Sequence, residues 1–472
     1  MKKSWFSLLI LLTILPATIS AKVKLPEVIG DNMVLQQDTQ VRLWGMATKN
    51  SNVKISLSWN SQPFFAKADN AGDWEIMVPT PKASFIPQKI TFEEGEKLLV
   101  NNILIGEVWF CSGQSNMEMP LNGFWNCPVM DANETISKAN TYKGFRFVNI
   151  SKKGALMPQN TCKGTWMTST PENLQWCSAV GFHFADMIKE ILDVPVGIIN
   201  CSWGGSSVEG WLPAEILKQY PDIDLKQAGN EKVEEYRQPM IMYNGMLKPM
   251  EKYTIKGFLW YQGESNVGKH LTYPDRLSTL VTLWRKEWGL GNLPFYFVEI
   301  APYNYGDEVS GAYLREAQFK AQSLIPNSAL VSTNDLVEAY ESGNIHPKDK
   351  TDVGKRLAYL ALTNTYGIKG VSDRGPSFRS MEILENKAII HFNGAEDGFN
   401  RTGDIVGFEM AGADKMFYPA HAKVLLNDKT VEVTCDKVAI PVAVRYAFKN
   451  FYPGNLGNTR NLPVFPFRTD NW

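Results

Sequence analysis

An α/β fold with a mostly parallel sheet, flanked on both sides by β-rich segments, is what this 472-residue sequence predicts. Three textures along the chain lead to it. From Lys22 to about Asn101 the segments TQVRLWGMA, SNVKISLSW and DWEIMVP alternate apolar and polar residues between the turn-forming stretches ATKNSN, ADNAGD and PTPKA. Short strands with frequent turns read as a small β-sandwich or jelly-roll-like module over 22–101. From about Ile103 the texture changes to continuous apolar runs, NILIGEVWFCSG, VPVGIINCSWGG, IKGFLWYQGESN, LPFYFVEIAP and SALVSTNDL, each ending in glycine or polar residues. Helix-like stretches such as SAVGFHFADMIKEIL and YPDRLSTLVTLWRKEW lie between them. Runs buried on both faces and separated by helices build a parallel sheet, here over 102–374. The β texture returns in SMEILENKAIIHF, HAKVLLNDKTVEV and AIPVAVRYAF, which defines a C-terminal β-rich region over 375–472.

Residues 1–21 combine two lysines, an apolar run of about ten residues and small residues at Ser20 and Ala21, the pattern of a secretory signal peptide. That run is shorter than the ~20 residues a membrane helix needs. The expectation is an exported protein, periplasmic or extracellular, without stable membrane insertion. Charges nearly cancel, at a net −1, and Lys and Arg are scattered without a basic stripe, which argues against nucleic acid as a partner. The 12% aromatic content, with 14 tryptophans, would suit flat sugar rings, although packing in a core is the commoner use of each one. Export permits disulfides, and of six cysteines the loop pair Cys127 and Cys162 is the first candidate. No Cys or His spacing matches a zinc site, so no metal is expected.

Ligands of an open α/β sheet bind at the carboxyl ends of its strands. Four chemically loaded segments sit at such ends: CSGQSNM, CSWGGSS, QGESN and the DLVEAYESGNIHPKDK that follows ALVST. Ser115, in the first, is an exposed nucleophile candidate, and a serine needs a base within hydrogen-bond reach. Five histidines allow elimination. His183 falls inside an amphipathic helix, His391 and His421 fall in the C-terminal β region, and His270 follows ESNVGK. His346 stands in a loop after a buried strand, stiffened by Pro347, and is the best candidate. Acyl transfer also needs donors for an oxyanion, for which Gly204 and Gly205 and the amides of Gln262 and Asn266 are available. Asn116 and Glu118 are placed to open a helix after Ser115, whose positive end would favour an oxyanion. Cys111, closing an apolar strand, reads as an inert buried thiol and not as the nucleophile.

The blocks GEVWFCSGQSNMEMPL, NCSWGGSSVEGW, GFLWYQGESN and IHPKDK, with VRYAF and NLPVFPFRTDNW further on, resemble in order those of the sialate O-acetylesterase family within the SGNH hydrolase superfamily. The resemblance covers essentially all of the chain after the signal peptide. It implies an SGNH-hydrolase-like, flavodoxin-like sheet and hydrolysis of sugar acetyl esters through an acetyl-serine, without metal or organic cofactor. It also implies Ser115 as nucleophile, His346 as base and then acid, and oxyanion donors from Ser115 N–H, the Gly204–Gly205 turn, and Gln262 ahead of Asn266. The superfamily usually carries an aspartate three residues before the histidine, where this chain has Gly343. Asp335 is then the expected acid, with a Ser–His dyad as the alternative. The expected partner is an O-acetylated carbohydrate, sialic acid first and plant polysaccharide second. A sialate carboxylate would favour an arginine at the pocket. A catalytically inactive carbohydrate-binding protein is the rival from another class, and a general lipase is disfavoured because no Gly-x-Ser-x-Gly elbow surrounds Ser115.

Overall fold

One 18-residue strand, β1 (Glu96–Gly113), organises the first half of the molecule. In the computed structural model, which describes residues 23–427 and 429–472, its first half pairs antiparallel with Ser84–Glu94, setting Leu98 opposite Phe92. Its second half runs parallel to two strands of the central sheet. The border expected near residue 101 therefore falls inside a continuous strand shared by the N-terminal β layer and the parallel sheet. The segment read as a signal peptide lies outside the described residues.

The central sheet adds β2 (Phe145–Asn149), β3 (Val196–Ser202), β4 (Gly257–Tyr261), β5 (Phe295–Val298) and β6 (Ser328–Val331). The spatial order is β2-β3-β1-β4-β5-β6, and every neighbouring pair is parallel. The five apolar runs read from the sequence are β1, β3, β4, β5 and β6, whereas the outer strand β2 is not among them; residues of β3, β4 and β5 are buried throughout. From β1 the chain crosses to the outer strand β2, returns through β3, and then runs outward on the other side through β4, β5 and β6, so the strand order reverses at β1 and its carboxyl end lies at the topological switch point.

Side chains of β1 alternate between two cores. Trp109 faces α2 (Ala179–Leu192) and packs on Phe184 at 5.0 Å, within a layer completed by α5 (Thr351–Asn364). Phe110 faces the other way, onto α3 (Tyr273–Trp288), with Trp288 at 5.3 Å. The helix α4 (Ser310–Leu324) packs beside α3. The helix α2 starts where Ser178 caps it, its Oγ accepting from Gly181 N–H at 3.1 Å. Gly289, in the left-handed conformation with φ +65°, ends α3. Trp109, Trp166, Trp211, Trp260, Trp284 and Trp288 are all core residues, the commoner of the two uses weighed from composition.

Beyond residue 375 two four-stranded antiparallel sheets enclose a separate apolar cluster that includes Ile390, Val433, Phe408 and Tyr446. This β-rich region docks on the central layer through Asn334 Nδ2 to Val464 O at 2.9 Å and the Arg468–Glu316 ion pair at 3.0 Å. All six cysteines are free thiols. The candidate Cys127–Cys162 bridge is not formed, because the two cysteines pack against different cores: Cys162 lies on the core of Phe110 and contacts Met250 Sδ at 3.4 Å, whereas Cys127 lies on the core of Trp109 and contacts Asn344 Oδ1 at 3.4 Å.

Candidate active site

At the carboxyl end of β1 the chain turns sharply. Gly113 has φ +132°, and a Cβ there would lie 2.1 Å from Tyr261 O, so only glycine fits. One helical turn, α1 (Ser115–Glu118), follows directly. The buried Gln114 is pinned across to the β4 loop, its Oε1 accepting from Gln262 Nε2 and Gly263 N–H, both at 3.2 Å, and from Ser265 N–H at 3.3 Å. Ser115 is thereby set at the carboxyl end of the sheet with a pinned neighbour on its N-terminal side.

His346 Nε2 lies 2.8 Å from Ser115 Oγ. Its loop is held on both flanks by Glu341, which accepts from Glu338 N–H at 2.9 Å and from Lys348 N–H at 3.0 Å. Asn344 Oδ1 accepts from His346 N–H at 3.0 Å. Burial, reinforced by the charge of Lys350, holds the His346 imidazole down to about 4. It is therefore neutral at pH 7, and its unprotonated nitrogen can take a proton from the hydroxyl.

The third element is the turn after β3. Gly204 packs against Ser115 so closely that a Cβ on it would lie 3.2 Å from Ser115 Cβ. Glu118 holds this turn, accepting from Gly204 N–H at 2.6 Å while also binding Lys152 Nζ at 2.5 Å. Among the described residues the N–H groups of Ser115 and Gly205 have no protein acceptor. Two backbone donors beside a serine–histidine pair are the parts that acyl transfer requires.

A family profile described as "Carbohydrate esterase, sialic acid-specific acetylesterase" matches residues 105–363. The chain belongs to that family. Human sialate O-acetylesterase is 27% identical to this esterase over 400 residues, covering 77% of this chain and 75% of the human protein. The mouse sialate O-acetylesterase is 25% identical over 422 residues, covering 77% of each. A crystal structure of a carbohydrate acetylesterase from Xanthomonas citri superposes with a TM-score of 0.84 at 32% identity, covering 96% of this chain and 100% of that one.

Three expectations for the esterase's site are corrected by its geometry. Asp335 does not reach His346; both its oxygens are bound by Arg356, at 2.7 and 2.6 Å, in a bidentate pair that also anchors Ser332 O. Among the described residues no carboxylate hydrogen-bonds to the His346 ring. Its Nδ1 faces Cys127 Sγ at 3.9 Å, and Phe124 packs edge-on at 5.2 Å. Gln262 does not offer a free amide: its Nε2 contacts Asn266 Oδ1 at 2.7 Å as well as Gln114 Oε1 and Ser206 O, both at 3.2 Å. Asn266 Nδ2 is likewise spent on the Glu209 carboxylate, at 3.1 and 3.0 Å. Both amides are fully buried and brace the floor of the site. Of the other histidines, His183 contacts Thr351 Oγ1 at 3.1 Å and His270 stacks on Tyr313 at 4.9 Å. Burial pushes the Cys111 thiol far up, as befits an inert residue.

A buried polar triplet escaped the sequence reading. Asn116 Nδ2 donates to Glu264 Oε1 at 2.5 Å and to Ile345 O at 3.0 Å, while its Oδ1 accepts from Lys350 Nζ at 2.8 Å. Lys350 Nζ also donates to Pro347 O at 2.7 Å. Asn116 is thus tied to both flanks of His346 and to the β4 loop. Burial drives Lys350 down to about 8 and Glu264 upward, so neither charge is comfortable without the other. The motifs QGESN and IHPKDK contain these residues, but only the fold brings them together.

The low proton affinity of His346 has a measurable signature. The kcat/KM for an aryl acetate is expected to stay level from pH 8 to about pH 5 and to halve near pH 4; a fall centred near 6.5 would contradict it. His346 and His183 are both held near 4 when folded but titrate near 6.5 when unfolded. Their contribution to stability is present above about pH 6.5 and is lost as pH falls through 4, because there the unfolded chain binds more protons.

Proposed function

We propose that this exported protein is a carbohydrate O-acetylesterase whose preferred substrate is O-acetylated sialic acid, working through a Ser115–His346 dyad. The observation that carries the reading is the 2.8 Å contact between Ser115 Oγ and His346 Nε2, beside the free N–H groups of Ser115 and Gly205. Ser115 Oγ attacks the acetyl carbonyl as its proton passes to His346 Nε2, and the new oxyanion is received by the two N–H groups. Collapse breaks the bond to the sugar oxygen, which takes the proton from His346. Water then attacks the acetyl-serine while His346 takes its proton, and acetate leaves as Ser115 Oγ regains a proton. The oxyanion itself offsets the imidazolium charge that no carboxylate partners.

In this reading the parallel domain, 102–374, is of the SGNH, flavodoxin-like type, supported by the β2-β3-β1-β4-β5-β6 order and the nucleophile at the switch point. The flanking regions, 22–101 and 375–472, are β modules packed against it. The named activity of the sialate O-acetylesterases from human and mouse supports sialic acid as substrate. The Xanthomonas citri enzyme, named more broadly as a carbohydrate acetylesterase, keeps acetylated polysaccharide as the second reading. Trp125, 90% exposed at the tip of the turn that places Phe124 on His346, is a surface a longer glycan could use. Acetate release from 9-O-acetylated sialic acid and from acetylated xylan, measured side by side, distinguishes the two. Release from neither would defeat both.

A further inference from the structure

Beside the Gly204–Gly205 turn lies a loop that presents an arginine for which the acyl-transfer steps have no use. Residues 229–238 are wound around the buried Gln238, whose Oε1 accepts from Gly229 N–H at 2.7 Å. Its amide donates to Asn230 O at 3.1 Å and Val233 O at 2.9 Å. Glu235 fastens the loop to the segment after β2, accepting from Gly154 N–H at 3.0 Å. So anchored, the loop sets the Tyr236 ring against Gly205, where an added Cβ would come within 2.6 Å of the ring. Gly205 also has φ +78°, so the oxyanion turn and this loop are fitted to one another.

Arg237 follows, its guanidinium 5.5 Å from the Tyr236 ring centroid. The side chain is exposed and, among the described residues, makes no ion pair with a carboxylate. Stacking on an aromatic face keeps a guanidinium in place while leaving its donor edge free. Lys152, another cation at this rim, is already bound to Glu118 at 2.5 Å. Arg237 is therefore a prepared, uncommitted fork of N–H donors one ring away from the turn that flanks the nucleophile.

Resting on the acetylesterase reading, we propose that Arg237 binds the carboxylate of an acidic sugar whose acetyl group sits at Ser115. An ester under attack must be uncharged at its carbonyl, so the substrate's negative charge has to lie away from Ser115. A guanidinium fork matches a carboxylate in both charge and shape. Neutral acetylated sugars would lack this contact, which makes Arg237 a specificity-determining residue for acidic ones.

The test compares O-acetylated sialic acid, its carboxylate methyl ester and an aryl acetate with wild type, Arg237→Ala and Arg237→Lys. Wild type is expected to favour the free acid over the methyl ester by about tenfold in kcat/KM, the loss expected for one charged hydrogen-bonded contact. Arg237→Ala should raise KM for the free acid about tenfold at unchanged kcat and leave the other two substrates unaffected. Arg237→Lys should recover part of the loss. Equal treatment of acid and methyl ester by wild type, or equal losses on all three substrates in Arg237→Ala, overturns the assignment while the esterase reading stands. If wild type cleaves none of the three, the esterase reading falls and this assignment with it.

Discussion

Ser115→Ala is expected to lower acetyl ester hydrolysis by ~10⁴-fold or more, the loss seen when the nucleophile of a concerted catalytic pair is removed. Asp335→Asn serves as its counterpart. Its partner Arg356 is buried and would keep only one acceptor at position 335, a loss of about one charged hydrogen bond, so the variant should be less stable by about 2 kcal/mol, yet keep most of its kcat. Melting temperature and acetate release, measured on both variants, separate the two effects. A Ser115→Ala protein with wild-type turnover would remove the nucleophile assignment, and an Asp335→Asn protein that folds normally but is inactive would restore a triad.

The second large effect is expected at Lys350. Replacing it with methionine keeps much of its length but removes the donors to Asn116 Oδ1 and Pro347 O, so the peptide behind His346 loses its tether. It also leaves Glu264 buried, with one oxygen already unpartnered. A drop in kcat of about 10²-fold is expected, because a misplacement of about 1 Å in a catalytic base has that consequence. KM should change little, since Lys350 is buried beneath the site. Asn116→Asp, which keeps an acceptor for Lys350 but removes the donor to Glu264 and Ile345 O, should fall between wild type and Lys350→Met. Unchanged kcat in a folded Lys350→Met protein would show that His346 is held by Glu341, Asn344 and Phe124 alone.

What was legible in the sequence follows from how local each signal is. Ser115 stands just past an apolar run, and that run is the strand end that carries it. His346 emerged by elimination because the other four histidines fall in a helix, in a neighbouring loop or in the C-terminal strands. Gly205 was readable as a place where backbone approaches the site. The identity of the groups that partner these residues was not readable. Asp335 lies close to His346 in sequence, but Arg356, a helix turn and a loop further on, takes both its oxygens. Gln262 and Asn266 look like free amides until their contacts to Gln114, Ser206 and Glu209 are seen. Glu264 and Lys350 meet at Asn116 across separations of 148 and 234 residues, a distance no spacing argument spans. Cys127 looked like half of a disulfide because export permits such bridges and its flanks read as loop; in the fold it fills the space beside His346 Nδ1 that an acid would take.

The central claim is that Ser115 and His346 alone move the acetyl group. It is tested most directly by quenching the wild-type enzyme in acid during turnover of an acetylated sugar and mapping the adduct by peptide mass spectrometry. The account predicts an acetyl group on the peptide containing Ser115, absent from Ser115→Ala. An acetyl group on Cys127 or elsewhere, or turnover by Ser115→Ala with no adduct at all, would contradict it.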